Sequence, residues 1–282
     1  MERSIIPLAL LSFLLCACGP SGPATPSPSA TPSSSTPTSS TAPSPTPSAS
    51  STTPTNAACN EIAFYLDPAL ASSALCETVP AETGPVYTHP EMTVITLVGY
   101  LWSGGDYEAR IYVMSVADYT ALRPTQIPMD VANLQGWISS ATPPVYPTSG
   151  FELPTLPDLG GMPSIFAQYG VLPFADGVGI RFVTRMGYDA APISNYETKY
   201  TYQALTADGQ YWVSAFLPIR NTILVDDGST LPAGYATWAQ FEADVEAYWA
   251  NVVQQLNTQP PGTFEPLIAD LDVLVSSITF VP

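Results

Sequence analysis

Apolar and polar positions alternate or recur with regular periods from Glu61 onward. Ile62-Ala63-Phe64-Tyr65-Leu66 reads as a strand. Asp67-Pro68 then supplies an N-cap and a proline at the first helical position, so the pattern predicts a short helix to about Leu75. Met92 to Leu101 and Glu108 to Ser115 read as strands, split by the turn Ser103-Gly104-Gly105-Asp106. Val116 to Leu122 and Met129 to Ser139 read as helices. A hairpin is predicted from Ile165–Leu172 and Val178–Met186, turning at Asp176-Gly177.

The sharpest local pattern is KYTYQALTADGQYWVSAFLP, beginning at Lys199. Asp208-Gly209 marks a two-residue type I′ turn. In that register Ala204 faces Val213, Tyr202 faces Ala215 and Tyr200 faces Leu217, an apolar face for the core. The opposite face is mixed and carries Thr201, Gln203, Leu205, Trp212, Ser214 and Phe216. Thr237-Trp238-Ala239-Gln240 is a capping box. Trp238, Phe241, Val245, Tyr248, Val252 and Leu256 follow at three- and four-residue spacing, so a long amphipathic helix is predicted, stopped by Pro260-Pro261-Gly262. A helix over about Phe264 to Val275 and a strand over Ser277 to Val281 complete the chain. The predicted class is α+β: a mainly antiparallel sheet with helices packed on one face, a C-terminal helix pair and a final strand.

The N-terminal pattern is different. Ile5 to Leu15 is apolar apart from Ser12, the length of a signal-peptide core and too short for the roughly 20 apolar residues of a membrane span. Leu15-Cys16-Ala17-Cys18 resembles the bacterial lipobox. That resemblance implies residues 1–17 as a cleaved leader, Cys18 as the lipidated new N-terminus, and an anchored extracytoplasmic protein of the cell envelope. Acyl chains contribute about 0.8 kcal/mol per buried methylene, so several on one residue anchor firmly. The competing reading is an ordinary secreted protein with incidental cysteines. Residues 18–57 then form a tether: Gly19 to Ala57 has no charge and no large apolar side chain, too little to offset ordering entropy. Its prolines favour polyproline II, reaching on the order of 100 Å when extended. Residues 58–282 read as one domain, with Ser140 to Pro163 its only plausible internal boundary.

Charge narrows the partners. Seven Lys and Arg stand against 24 Asp and Glu, a net charge of −17, which disfavours nucleic acid. Cys59 and Cys76 are an isolated pair and, outside the cytoplasm, are expected as a disulfide, the alternative being two buried thiols. Two cysteines and one histidine make a poor metal-ligand set, so no metal and no cofactor is expected. His89, followed by proline, reads as a loop residue. Lys199 is the only lysine and begins a strand among polar residues. No G-x-S-x-G elbow, Walker motif or G-x-G-x-x-G is present. Asp226-Asp227-Gly228-Ser229 lacks the alternation of a calcium loop and reads as a turn. Asp67, Asp189, Glu197, Asp226 and Asp227 are carboxylates of the type glycosidases use, none in a telling context.

One constellation stands out. Arg181 and Arg185 alternate off the apolar side of their strand, and Lys199 follows on the next strand with Gln203 and Trp212. These five residues are a candidate ligand-binding face for an anionic small molecule or glycan, the alternative being ordinary salt bridges. The stretches FYLDPALA, ETVPAE, VGIRFVTRMG, TYQALTADGQYWVSAFLPI and LDVLVSSI resemble a group of uncharacterised bacterial envelope lipoproteins across Glu61 to Ile278. The resemblance implies a shared fold and location and carries over no activity or catalytic residue. The order of two hairpins, a long helix, a helix and a strand is also similar to the PsbP/Mog1-type sandwich. The expected role is therefore binding or structural at the membrane, the alternative a carboxylate-based hydrolase of envelope or extracellular polymer.

Overall fold

A computed structural model describes residues 55–84, 87–102, 107–140, 142, 153–158 and 160–281. The leader, Cys18, the tether up to residue 54, the turn at 103–106 and most of the 140–163 loop lie outside the described residues.

β1 (Thr55–Cys59) pairs antiparallel with β2 (Ile62–Leu66). The strand thus takes in the last residues of the Pro/Ser/Thr tract. β3 (Ser73–Val79) follows, then the short pair β4 (Glu82–Thr83) and β5 (Thr88–His89), and then β6 (Met92–Val98) and β7 (Arg110–Ser115). Two helices come next, α1 (Val116–Leu122) and α2 (Gln126–Ser140). After β8 (Met162–Pro163) come the hairpins β9 (Ala167–Phe174) with β10 (Gly177–Gly187), and β11 (Thr198–Thr206) with β12 (Tyr211–Pro218). β13 (Arg220–Asn221), α3 (Trp238–Thr258), β14 (Phe264–Glu265), α4 (Ile268–Ser276) and β15 (Thr279–Phe280) end the fold. The class is α+β, mainly antiparallel, with the C-terminal helix pair and final strand that the pattern predicts.

The main sheet has eight strands in the order β3-β6-β7-β12-β11-β10-β8, with β9 also on β10. Its centre is the β11–β12 hairpin. The register is the one the Asp208-Gly209 turn predicts: Ala204 opposite Val213, Tyr202 opposite Ala215, Tyr200 opposite Leu217. Both faces of this sheet are covered. Tyr200, Tyr202, Ala204, Val213 and Leu217 join one core with Val252 and Leu256 of α3 and Ile268, Leu271 and Leu274 of α4. Phe182, Leu205, Trp212 and Phe216 join a second core with Tyr119 of α1 and Ile127, Leu134 and Trp137 of α2. The C-terminal pair thus occupies one face and α1 and α2 cover the other, so helices lie on both faces and not on the single face expected, because Leu205, Trp212 and Phe216 give the mixed face an apolar core of its own. In α2 the core positions Ile127, Val131, Leu134 and Ile138 recur at three- and four-residue steps, one stripe of a helix.

Caps set the helix starts. Ser115 Oγ accepts from the Asp118 N–H at 3.1 Å, and Thr237 Oγ1 accepts from the Gln240 N–H at 3.2 Å. Gln240 Oε1 in turn accepts from the Ala236 N–H at 3.0 Å, one residue before the cap. The Asp67-Pro68 signal makes only a turn: Asp67 Oδ1 accepts from the Ala69 N–H at 2.8 Å, and its carbonyl from Leu70 and Ala71. Ser73 to Val79 then extends as β3 along β6, because pairing every residue from Ser73 to Val79 with β6 satisfies more backbone than a lone helical turn.

β15 pairs with β2, giving a small three-stranded sheet with β1. Cys59 and Cys76 lie within disulfide distance, Cα–Cα 5.6 Å, and tie β1 to the edge strand β3 of the large sheet. Closing a loop of this length stabilises by about 3 kcal/mol in the chain-entropy model. Replacing both cysteines by serine should therefore lower the melting temperature by several degrees. Calorimetry of the purified domain checks this, and an unchanged midpoint would mean that the pair contributes nothing.

Candidate binding site

Directly opposed residues in a ladder share a face, and successive residues alternate. Arg181 opposes Tyr202 and Arg185 opposes Thr198, whereas Lys199 opposes Thr184 and Gln203 opposes Ile180. The five candidate residues are therefore split by the sheet. Arg181 and Arg185 lie on the α3/α4 side; Lys199, Gln203 and Trp212 lie on the α1/α2 side. The two hairpins do share a sheet, but the connection from Tyr188 to Glu197 fixes the parity that separates them.

On the α3/α4 side the arginines are neutralised by acids of the same chain. Arg181 Nε pairs with Asp272 Oδ1 of α4 at 3.2 Å, and its Nη1 donates to the Gln168 carbonyl. The Tyr200 hydroxyl also donates to Asp272 Oδ1, at 2.8 Å. Burial raises the Asp272 carboxyl above its ordinary range, opposed by Arg181 and Tyr200. Arg185, almost fully buried, donates from Nε to Glu197 Oε2 at 2.7 Å and from Nη2 to Asp189 Oδ1 at 2.6 Å. These contacts brace the sheet and give each guanidinium a carboxylate of its own chain.

The α1/α2 side is different. Every residue of β11 is buried, polar ones included. Gln203 is held by its oxygen: Oε1 accepts from Trp212 Nε1 at 2.8 Å, from Ser214 Oγ at 3.0 Å and from the Leu156 N–H at 3.1 Å. Among the described residues its amide Nε2 has no acceptor, and neither has Thr201 Oγ1. Lys199 is 4% exposed, and its Nζ sits 3.4 Å from the centre of the Tyr107 ring. Burial pulls its amine down from the ordinary 10.5 to about 8, against the charge of Glu197 and helped by that of Arg185. Lys199 is thus an interior residue, where the sequence had placed it among polar neighbours at a strand start. Across Phe216, Arg110 shares this face and pairs with Glu108.

Arg110, Tyr107 and Leu156 escaped the sequence reading. Their approach depends on β7 lying beside β12 and on a segment crossing the sheet, neither of which has a local signature. Thr201 and Ser214 were on the correct face from the turn register alone.

Several of the candidate carboxylates are held by partners of the same chain. Asp189 and Glu197 share Arg185, Asp67 caps a turn, and Asp227 Oδ1 accepts from the Ser229 N–H at 2.8 Å. The Asp226 carbonyl accepts from the Tyr196 N–H. His89 lies in the short strand β5 and not in a loop, with Nε2 3.7 Å from Glu82 Oε2. Three surface hollows of about 330, 430 and 620 Å³ are lined by neutral and acidic residues, among them Glu61, Asp244 and Asp176, and by no lysine or arginine.

The depressed Lys199 amine has a stability consequence. Between pH 8 and 10.5 the unfolded chain holds a proton at this residue that the folded chain has released. Stability contributed by Lys199 therefore rises with pH through that window. Relative to Lys199→Met, wild type should gain up to about 3 kcal/mol from pH 7.5 to pH 10.5. Urea unfolding of both proteins across this range measures it; a constant difference would mean that the amine titrates as if in water. No family model, characterised protein or solved structure matches this chain.

Proposed function

We propose that this chain is a lipid-anchored extracytoplasmic protein of the cell envelope whose domain works by binding and not by catalysis. The observation that carries the binding role is the row of buried donors on β11 that have no acceptor among the described residues, set in a protein several of whose candidate carboxylates are held by Arg185 or by turn hydrogen bonds. The location rests on the leader-like apolar run, the lipobox-like Leu15 to Cys18 and the charge-free tether. Two further features agree with it. The Cys59–Cys76 pair suits an oxidising compartment. No helix among the described residues is long and apolar enough to cross a membrane, so the lipid on Cys18 supplies the anchor. The tether then holds the domain away from the bilayer, where its acidic surface keeps it soluble.

Cys18→Ala should release the domain from the membrane fraction or leave an uncleaved precursor. A fatty-acid analogue fed to expressing cells should label wild type and not the variant. Equal labelling of both would overturn the anchor.

A further inference from the structure

Lys199, Thr201 and Gln203 project in succession from β11 toward the α1/α2 side, about 7 Å apart. Each ends in a donor that no acceptor among the described residues reaches: an ammonium, a hydroxyl and an amide N–H pair. Trp212, Ser214 and Leu156 fix the Gln203 oxygen, so its amide nitrogen cannot be turned away. The row is rigid, rich in donors and poor in acceptors. A ligand complementary to it carries oxygens.

Charge sets how many. Lys199 is the one cation in the row, and Glu197 lies close enough to act on it electrostatically. Glu108 offsets Arg110 on the same face. The ammonium can pair with one negative charge, and a dianion such as a phosphate monoester would leave a second charge unpaired beside Glu197 and Glu108. Access is also defined. Tyr107, itself 44% exposed, covers the ammonium with its ring. Displacing that ring would exchange a cation–π contact for an ion pair with a ligand.

We infer that the row Lys199, Thr201 and Gln203 binds the carboxylate of a small acid or of a uronate unit in a glycan, with the Tyr107 ring displaced. One carboxylate oxygen takes the ammonium and the other the Thr201 hydroxyl. A neighbouring ligand oxygen accepts from the Gln203 amide. The inference rests on the binding role proposed above and names its ligand chemistry.

The test is a thermal-shift and calorimetric titration of the intact domain at pH 7 and constant ionic strength. The probes are acetate, D-glucuronate, an oligouronide and D-glucose. Wild type should show a saturable rise in melting temperature with a carboxylate and none with glucose. A response to acetate equal to that of glucuronate identifies a small acid as the source; a stronger response to the uronides identifies a glycan. Lys199→Met should weaken binding about ten- to a hundredfold, and Thr201→Val about two- to tenfold. The valine variant is isosteric and keeps the ammonium, so it carries the test if the methionine variant misfolds. Stabilisation by glucose equal to that by glucuronate would leave the binding role standing and overturn the carboxylate. Absence of any shift, or equal shifts in wild type and both variants, would overturn the inference while leaving the fatty-acid labelling result untouched.

Discussion

The burial of β11 on both faces is the constraint that organises this protein. All nine residues from Thr198 to Thr206 are withdrawn from water, so every polar side chain among them must find its partner inside the chain. A buried donor or acceptor left unmade costs about 1–3 kcal/mol, more than an ordinary hydrogen bond contributes. The apolar residues meet this condition by packing: Tyr200, Tyr202 and Ala204 against α3 and α4, Leu205 against the α1/α2 side. The tyrosine hydroxyls are bonded to Asp272 and to the Leu172 carbonyl. Gln203 meets it halfway, with three donors on its oxygen and none of its own protons used. Lys199 and Thr201 do not meet it within the described residues. Function is sought where a folded chain leaves such costs in place.

The sheet also partitions the cations of an acidic chain. Arg181 and Arg185 each hold at least one carboxylate on the α3/α4 side, and Arg220 pairs with Glu265. These pairs are partly or largely buried, where removing one partner is costly because the other charge remains. Lys199 faces the Tyr107 ring and has no ion pair among the described residues. Neighbouring strands therefore show two uses of positive charge: Arg181 of β10 locks a helix to the sheet through Asp272, and Lys199 of β11 lies behind Tyr107.

Much of the fold was legible because it is local. Asp208-Gly209 dictates a two-residue turn, and a turn dictates register, so the faces of β11 and β12 followed correctly. Thr237 and the apolar stripe of α3 are likewise confined to one turn and one helix. The failures are non-local. Asp67-Pro68 carries a genuine helix-start signal, yet β6 offers the following residues a full ladder and the helix gives way to β3. The helices α1 and α2 were foreseen as segments, but which face they cover depends on chain path. The candidate site failed by parity: alternation within β10 was read correctly, but its phase relative to β11 is set by the connection between them, so Arg181 and Arg185 fell on the far side from Lys199. Arg110 was invisible for the same reason, since its place on the Lys199 side needs β7 beside β12.

That Lys199 is a buried amine held out of water is open to direct observation, because the chain contains no other lysine. NMR of protein labelled only in lysine side chains gives a single resonance to follow against pH. The account predicts a titration midpoint near 8, with Thr201→Val leaving it in that region. A midpoint at the ordinary lysine value of about 10.4 would contradict it, since such an ammonium is solvated and the row on β11 is no site at all.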